Sequence, residues 1–144
     1  MRSRLLVVAA AVGAAVVTNL ILYGLGRAAG GTFGFTSSSG PAIVDGVTVA
    51  AFSAVPLLLG LVAVVLLAGL GDWVIRAALV IGPLLAIGTI ALMTVPTDLD
   101  ITSKVTLALC HVVLVPIILV AVRELGRRGN AVGRADVPAG GGPG

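Results

Sequence analysis

The chain has 144 residues, 58% of them hydrophobic and only 10% charged, whereas an average soluble domain is about 45–50% apolar and about 25% charged. Nine basic and six acidic side chains are too few to cover a water-soluble surface, so lipid is the expected solvent for most of the chain. A net charge of +3 and a pI near 10.0 would suit nucleic acid, but the basic residues flank apolar segments without interleaved aromatics, which excludes that partner.

A helix needs about 20 apolar residues to cross about 30 Å of hydrocarbon. The first segment that meets this is 5–26, interrupted only by Thr18 and Asn19. A secretory signal core is about 7–15 residues long, so this segment is expected to be a retained helix. The next, 47–70, is the longest and should tilt. The third covers about 74–95 and the fourth about 105–122. Alternating strands of a barrel are a poor alternative, because these segments are apolar on every face and too long.

Orientation follows from basic residues in short flanks. With the N-terminus inside, Arg2, Arg4, Arg76, Arg123, Arg127, Arg128 and Arg134 are cytoplasmic, and only Arg27 and Lys104 lie outside. The expected fold is therefore all-α: a four-transmembrane-helix bundle, up-down-up-down, in the cell membrane with both termini cytoplasmic. Residues 1–125 form the transmembrane domain and 126–144 a disordered tail rich in Gly, Pro and charge.

The connections differ in character. Residues 27–46 are polar and Gly-rich, with Phe33 and Phe35 able to dip into the interface. Gly71-Asp72-Trp73 is tight, which makes the second and third helices antiparallel neighbours, and Trp73 suits the headgroup level. In the segment from Pro96 to Thr102, Asp100 or Thr102 is positioned to cap the fourth helix.

Polar atoms inside a bilayer are costly and so informative. Asn19, Ser53, Thr89 and His111, one on each helix, all fall about 10 Å below the outer surface at 1.5 Å per residue. This layer reads either as hydrogen-bonded glue between helices or as a small polar cavity open to the outside, with His111 as a possible ligand or proton site. Pro56, Pro83 and Pro116 fall inside the second, third and fourth helices as candidate kinks. Ala78, Gly82 and Ala86 form a small-residue stripe on the third, and Ala9 with Gly13 a weaker one on the first.

Several chemistries lack their residues. One His, one Cys and no intramembrane carboxylate cannot bind a metal. A haem with two axial histidines would require His111 from two chains. Ser53 lies in no nucleophile elbow, and no phosphate-binding loop occurs, so neither a cofactor nor an enzymatic activity is expected. Cys110 reads as a small buried hydrophobe.

The chain resembles an uncharacterised family of small four-span membrane proteins from high-GC Gram-positive bacteria. The residues that carry the resemblance are Asn19 followed by Gly26-Arg-Ala-Ala-Gly-Gly-Thr-Phe, then Val55-Pro-Leu-Leu-Leu-Gly, and Leu107-Ala-Leu-Cys-His-Val-Val-Leu-Val-Pro-Ile. Where the family often has Met before the histidine, this chain has Cys110. The resemblance implies that Asn19, Pro56, His111 and Pro116 are characteristic positions, and it implies no activity.

The expected function is that of a non-enzymatic bundle acting within the bilayer as a partner subunit or by self-assembly into a homo-oligomer. The alternative is a minimal small-molecule transporter using the outer-leaflet polar cavity around His111. Against the alternative, small proton-coupled exporters resemble one another in carrying a membrane-embedded glutamate in their first helix, and this chain has Asn19 there.

Overall fold

A computed structural model describes residues 2–135. Four helices pack together: α1 (Arg2–Ala28), α2 (Gly46–Leu67), α3 (Trp73–Thr89) and α4 (Ile101–Ala135). A short 3₁₀ turn, Ala68–Leu70, follows α2, and a π-helical turn, Ile90–Thr94, follows α3. All four helices are long and apolar enough to cross a membrane. With no water at that depth to satisfy backbone amides, helices close their own hydrogen bonds.

The core joins three of the helices. Val8, Ala11 and Ala15 of α1 meet Leu57, Leu61 and Val64 of α2 and Ala121, Val122 and Leu125 of α4. Against lipid such contacts gain little from desolvation, so close approach matters more than apolar area. At Gly26 a Cβ would collide with the Thr106 side chain and come within 2.9 Å of the Phe33 ring. At Gly82 it would lie 2.7 Å from Ile118 Cγ2. The stripe Ala78, Gly82 and Ala86 thus turns towards α4, as its small residues suggest. The α1 stripe does not face the core: Ala9 and Gly13 are exposed, and nothing lies within 4 Å of Gly13.

Helix α1 packs closely on both α2 and α4, and α3 packs on α4. Although the tight Gly71-Asp72 connection joins them, α2 and α3 touch little. They are neighbours in sequence and are splayed in space.

Two features depart from the expected boundaries. The loop between α1 and α2 contains a hairpin of β1 (Gly34–Ser37) and antiparallel β2 (Gly40–Ile43), with Gly34 opposite Ile43 and Ser37 opposite Gly40. The fold is therefore helical with one small sheet. The fourth helix also begins at Ile101 and continues past Val122 and Gly126 to Ala135. Beyond the apolar stretch, Glu124 pairs with Arg127 at 3.4 Å and Arg128 at 2.7 Å, one helical turn on. Such pairs support the helix where charged residues replace apolar ones. The rest of the expected tail, 136–144, lies outside the described residues.

The hairpin covers one end of the helices. Asp98 accepts from Thr36 N–H at 2.9 Å and from its hydroxyl at 2.7 Å. Asp100 accepts from Thr32 N–H at 3.0 Å and its hydroxyl at 2.7 Å, and also from Ser103 N–H at 2.9 Å and its hydroxyl at 2.6 Å. Asp100 thereby caps α4 and fastens the hairpin to it. The Ser103 hydroxyl and N–H, followed by the Thr32 hydroxyl, hold the Asp100 carboxyl well below the usual carboxylate range. The Thr36 hydroxyl and then its N–H lower that of Asp98.

Phe33 does not reach a lipid interface. It is fully buried beneath the hairpin, 4.7 Å from the Tyr23 ring, and takes φ 56. Its N–H donates to Ser103 Oγ at 2.9 Å. At the opposite end of the bundle, Arg128 donates to Ser3 O at 3.0 Å, which ties the start of α1 to α4.

Candidate functional site: the cleft between α2 and α3

Where α2 and α3 part, a cavity of about 560 Å³ opens between them with α4 as its floor. Its α2 wall includes Phe52, Ser53, Pro56, Gly60 and Ala63, and its α3 wall Ala77, Ile81, Gly82, Ala86 and Thr89. His111, Leu114, Ile118 and Val122 come from α4. Trp73 lines the end nearest the α2–α3 connection. Small residues on both walls let the space persist without long side chains filling it.

The four polar residues singled out by depth divide into two groups. Asn19 and Ser53 meet: Asn19 Nδ2 donates to Ser53 Oγ at 2.8 Å, and both are buried. Ser53 Oγ donates its own proton to Val49 O at 2.7 Å. That fixes the direction of the Asn19 bond, because a hydroxyl has only one proton. Asn19 Oδ1 is buried with no partner among the described residues. Close by, Cys110 Sγ lies 3.9 Å from the Asn19 backbone carbonyl.

Thr89 and His111 join neither Asn19 nor each other. Thr89 Oγ1 donates to Ala86 O at 2.8 Å, and His111 Nδ1 lies 2.7 Å from Leu107 O. A carbonyl only accepts, so His111 Nδ1 carries the proton. In the uncharged form of the ring, Nε2 is then a bare acceptor.

Ser53, Thr89 and His111 line the same cavity, while Asn19 stands behind Ser53 outside it. Seven residues in from the start of α2 and ten in from the start of α4, Ser53 and His111 sit about 10 and 15 Å from the hairpin ends of their helices. One polar layer is thus an interhelical clasp plus a three-residue polar end to an otherwise apolar cleft. Pro56 and Pro83 lie within α2 and α3 and Pro116 within α4, and of these Pro56 is on the cleft wall.

Residues 1–128 match the family described as "Family of unknown function (DUF6069)". The chain belongs to this family. No curated protein and no solved structure gives a match. The DUF6069 match includes all four candidate spans, the hairpin and every residue of the cleft, and ends within α4. The description assigns no activity, so the chemistry has to be read from the residues.

Sequence reasoning grouped Ser53, Thr89 and His111 with Asn19 around one small polar cavity; here the first three line a mostly apolar cleft with Asn19 behind it, and the splay of α2 from α3 that opens this cleft leaves no periodic trace. Sequence reasoning also missed Thr32, Thr36 and Ser103 as partners of Asp98 and Asp100. The nearest signal is the Asp-Leu-Asp spacing at 98–100, which marks two carboxylates without naming their donors.

Proposed function

We propose that this is a non-enzymatic multi-pass protein of the cell membrane that works by holding another component of the bilayer in the cleft between α2 and α3. The observation that carries this reading is the open, apolar cleft itself, walled by Gly60 and Ala63 on one side and Ala77 and Ala86 on the other. Its volume is typical of ligand sites, which run from about 300 to 1,000 Å³.

A non-enzymatic role is supported by how the polar groups are engaged. Ser53 gives its proton to Val49 O and not to a base, and His111 gives its Nδ1 proton to Leu107 O. Among the described residues no carboxylate lines the cleft.

In this reading the helices run up-down-up-down with both termini in the cytoplasm. The seven-to-two distribution of basic residues supports that orientation. The hairpin's bonds to Asp98 and Asp100 then mark the outer end of the bundle, and the Arg128–Ser3 contact the inner end. The cleft then opens sideways to lipid, with its polar end in the outer half.

The test is co-purification in native lipid discs followed by mass spectrometry of everything retained. Wild type should retain a component that Ala63→Phe and Ala77→Phe, which fill the cleft, release while keeping their helical content. Identical retention by the filled variants would end this reading, and would leave assembly through another face as the partner mode.

A second reading, the minimal transporter, is favoured by one observation: Ser53, Thr89 and His111 share a cavity. In it His111 is the ionisable group on the wall. Reconstituted vesicles carrying a pH-sensitive dye should show proton flux that His111→Gln abolishes; equal flux in both would discard it.

A further inference from the structure

The polar end of the cleft has an unusual inventory. Ser53 Oγ has given its proton to Val49 O, Thr89 Oγ1 to Ala86 O, and His111 Nδ1 to Leu107 O. Ser53 has also accepted one bond, from Asn19. With the His111 ring uncharged, what these three residues have left for an occupant is acceptors: His111 Nε2, the lone pairs of Thr89 Oγ1, and one lone pair on Ser53. Among the described residues the only other polar side-chain group on the walls, Trp73 Nε1, donates to Leu70 O at 3.2 Å at the far end.

An acceptor-only pocket selects its ligand. A carbonyl, ester or phosphate oxygen would find no donor there and would lose its hydration without replacement. An ammonium group would be buried without a counter-charge, since among the described residues no carboxylate lines the cleft. A hydroxyl fits, because it donates one bond and asks little more at that depth. The remaining walls are apolar along α3 from Thr89 back to Trp73, about 24 Å at 1.5 Å per residue. That is the length of a lipid chain.

Resting on the cleft reading above, we propose that the cleft is a binding site for a single-chain amphiphile with a hydroxyl head, a long-chain alcohol in chemical class. Its hydroxyl donates to His111 Nε2 beside Thr89 and Ser53, and its chain lies between α2 and α3 with the tail towards Trp73. The Asn19–Ser53 bond positions the site indirectly, because it leaves Ser53 as an acceptor.

Trp73 is the one tryptophan of the chain, so it reports the tail. The full chain is reconstituted in phosphatidylcholine vesicles and titrated with ω-bromohexadecanol or, at equal membrane concentration, with ω-bromohexadecyl methyl ether, which has no donor. The alcohol should quench Trp73 saturably, above the linear collisional level set by the ether. His111→Phe should weaken the half-saturation point about three- to tenfold, the range expected for one intramembrane hydrogen bond. His111→Gln, which keeps an acceptor, should recover part of it, and Ala63→Phe should remove the saturable component. Equal saturable quenching by alcohol and ether, lost in Ala63→Phe, would overturn head-group recognition and leave the cleft reading standing. No saturable quenching by either would overturn the proposal, and the co-purification comparison would then decide the cleft reading separately.

Discussion

Asn19 on α1 donates its side-chain amide to Ser53 on α2 at 2.8 Å, and it is the one hydrogen bond between side chains of different membrane-spanning helices among the described residues. Both side chains are buried, so each loses its partner without gaining water when the other is removed. Ser53→Ala should therefore cost about 1 kcal/mol in a mixed-micelle unfolding titration, with Asn19→Leu similar. The double variant should recover part of the sum, giving a coupling of about 0.6 kcal/mol. Strict additivity would mean that the pair does not interact.

At the hairpin, Asp98 and Asp100 predict an acid response. Both carboxyls are held below their ordinary value of 3.8 by the donors of Thr36, Ser103 and Thr32. A lowered folded-state value contributes stability that is complete above the unfolded value and lost as pH falls through the folded one. Amide exchange at Thr32 and Thr36, corrected for intrinsic rate, should stay flat from neutral pH to about 5 and rise only below about 4. Asp100→Asn should raise exchange at Thr32 even at neutral pH. Exchange that climbs already at neutral pH in wild type would show that the carboxylates do not hold the hairpin.

Much of the helical frame was legible because lipid makes a demand that sequence must meet: about 20 apolar residues per crossing. The Asn19–Ser53 contact was half legible, since depth put both residues in one layer but could not say which neighbours would face each other. His111 was read as part of that layer, yet its donor is satisfied by Leu107 O one turn earlier on its own helix, a local bond invisible to any depth argument. The hairpin was hidden because its strands are four residues each, too short for an alternating pattern to stand out. The helical run to Ala135 was masked by Gly126 and Gly129, which composition reads as breakers while the Glu124–Arg128 pair supports a helix.

Glycine substitutions should change sign with position. In an open helix Gly→Ala stabilises by about 0.5–1 kcal/mol, and Gly13, with nothing within 4 Å, should behave this way. Gly82→Ala places a Cβ 2.7 Å from Ile118 Cγ2, so it should destabilise by about 1–3 kcal/mol. Adding Ile118→Ala to Gly82→Ala should restore part of that loss. If Gly82→Ala proves as harmless as Gly13→Ala, α3 does not approach α4 at this point.

Orientation is open to a direct chemical test. Ser38 lies in the turn between β1 and β2 at the hairpin end, while Arg128 touches Ser3 at the other. With Cys110, the one native thiol, replaced by alanine, a cysteine introduced at Ser38 should react with a membrane-impermeant maleimide on intact cells. One introduced at Ser3 should react only after lysis. The basic residues argue for this result, because seven of the nine cluster towards the termini and the α2–α3 turn. Under this orientation the Ser53, Thr89 and His111 end of the cleft lies in the outer half of the bilayer, and an occupant's hydroxyl would enter from the outer leaflet. Labelling at Ser3 on intact cells, with Ser38 protected until lysis, would invert the protein and place that polar end in the inner half.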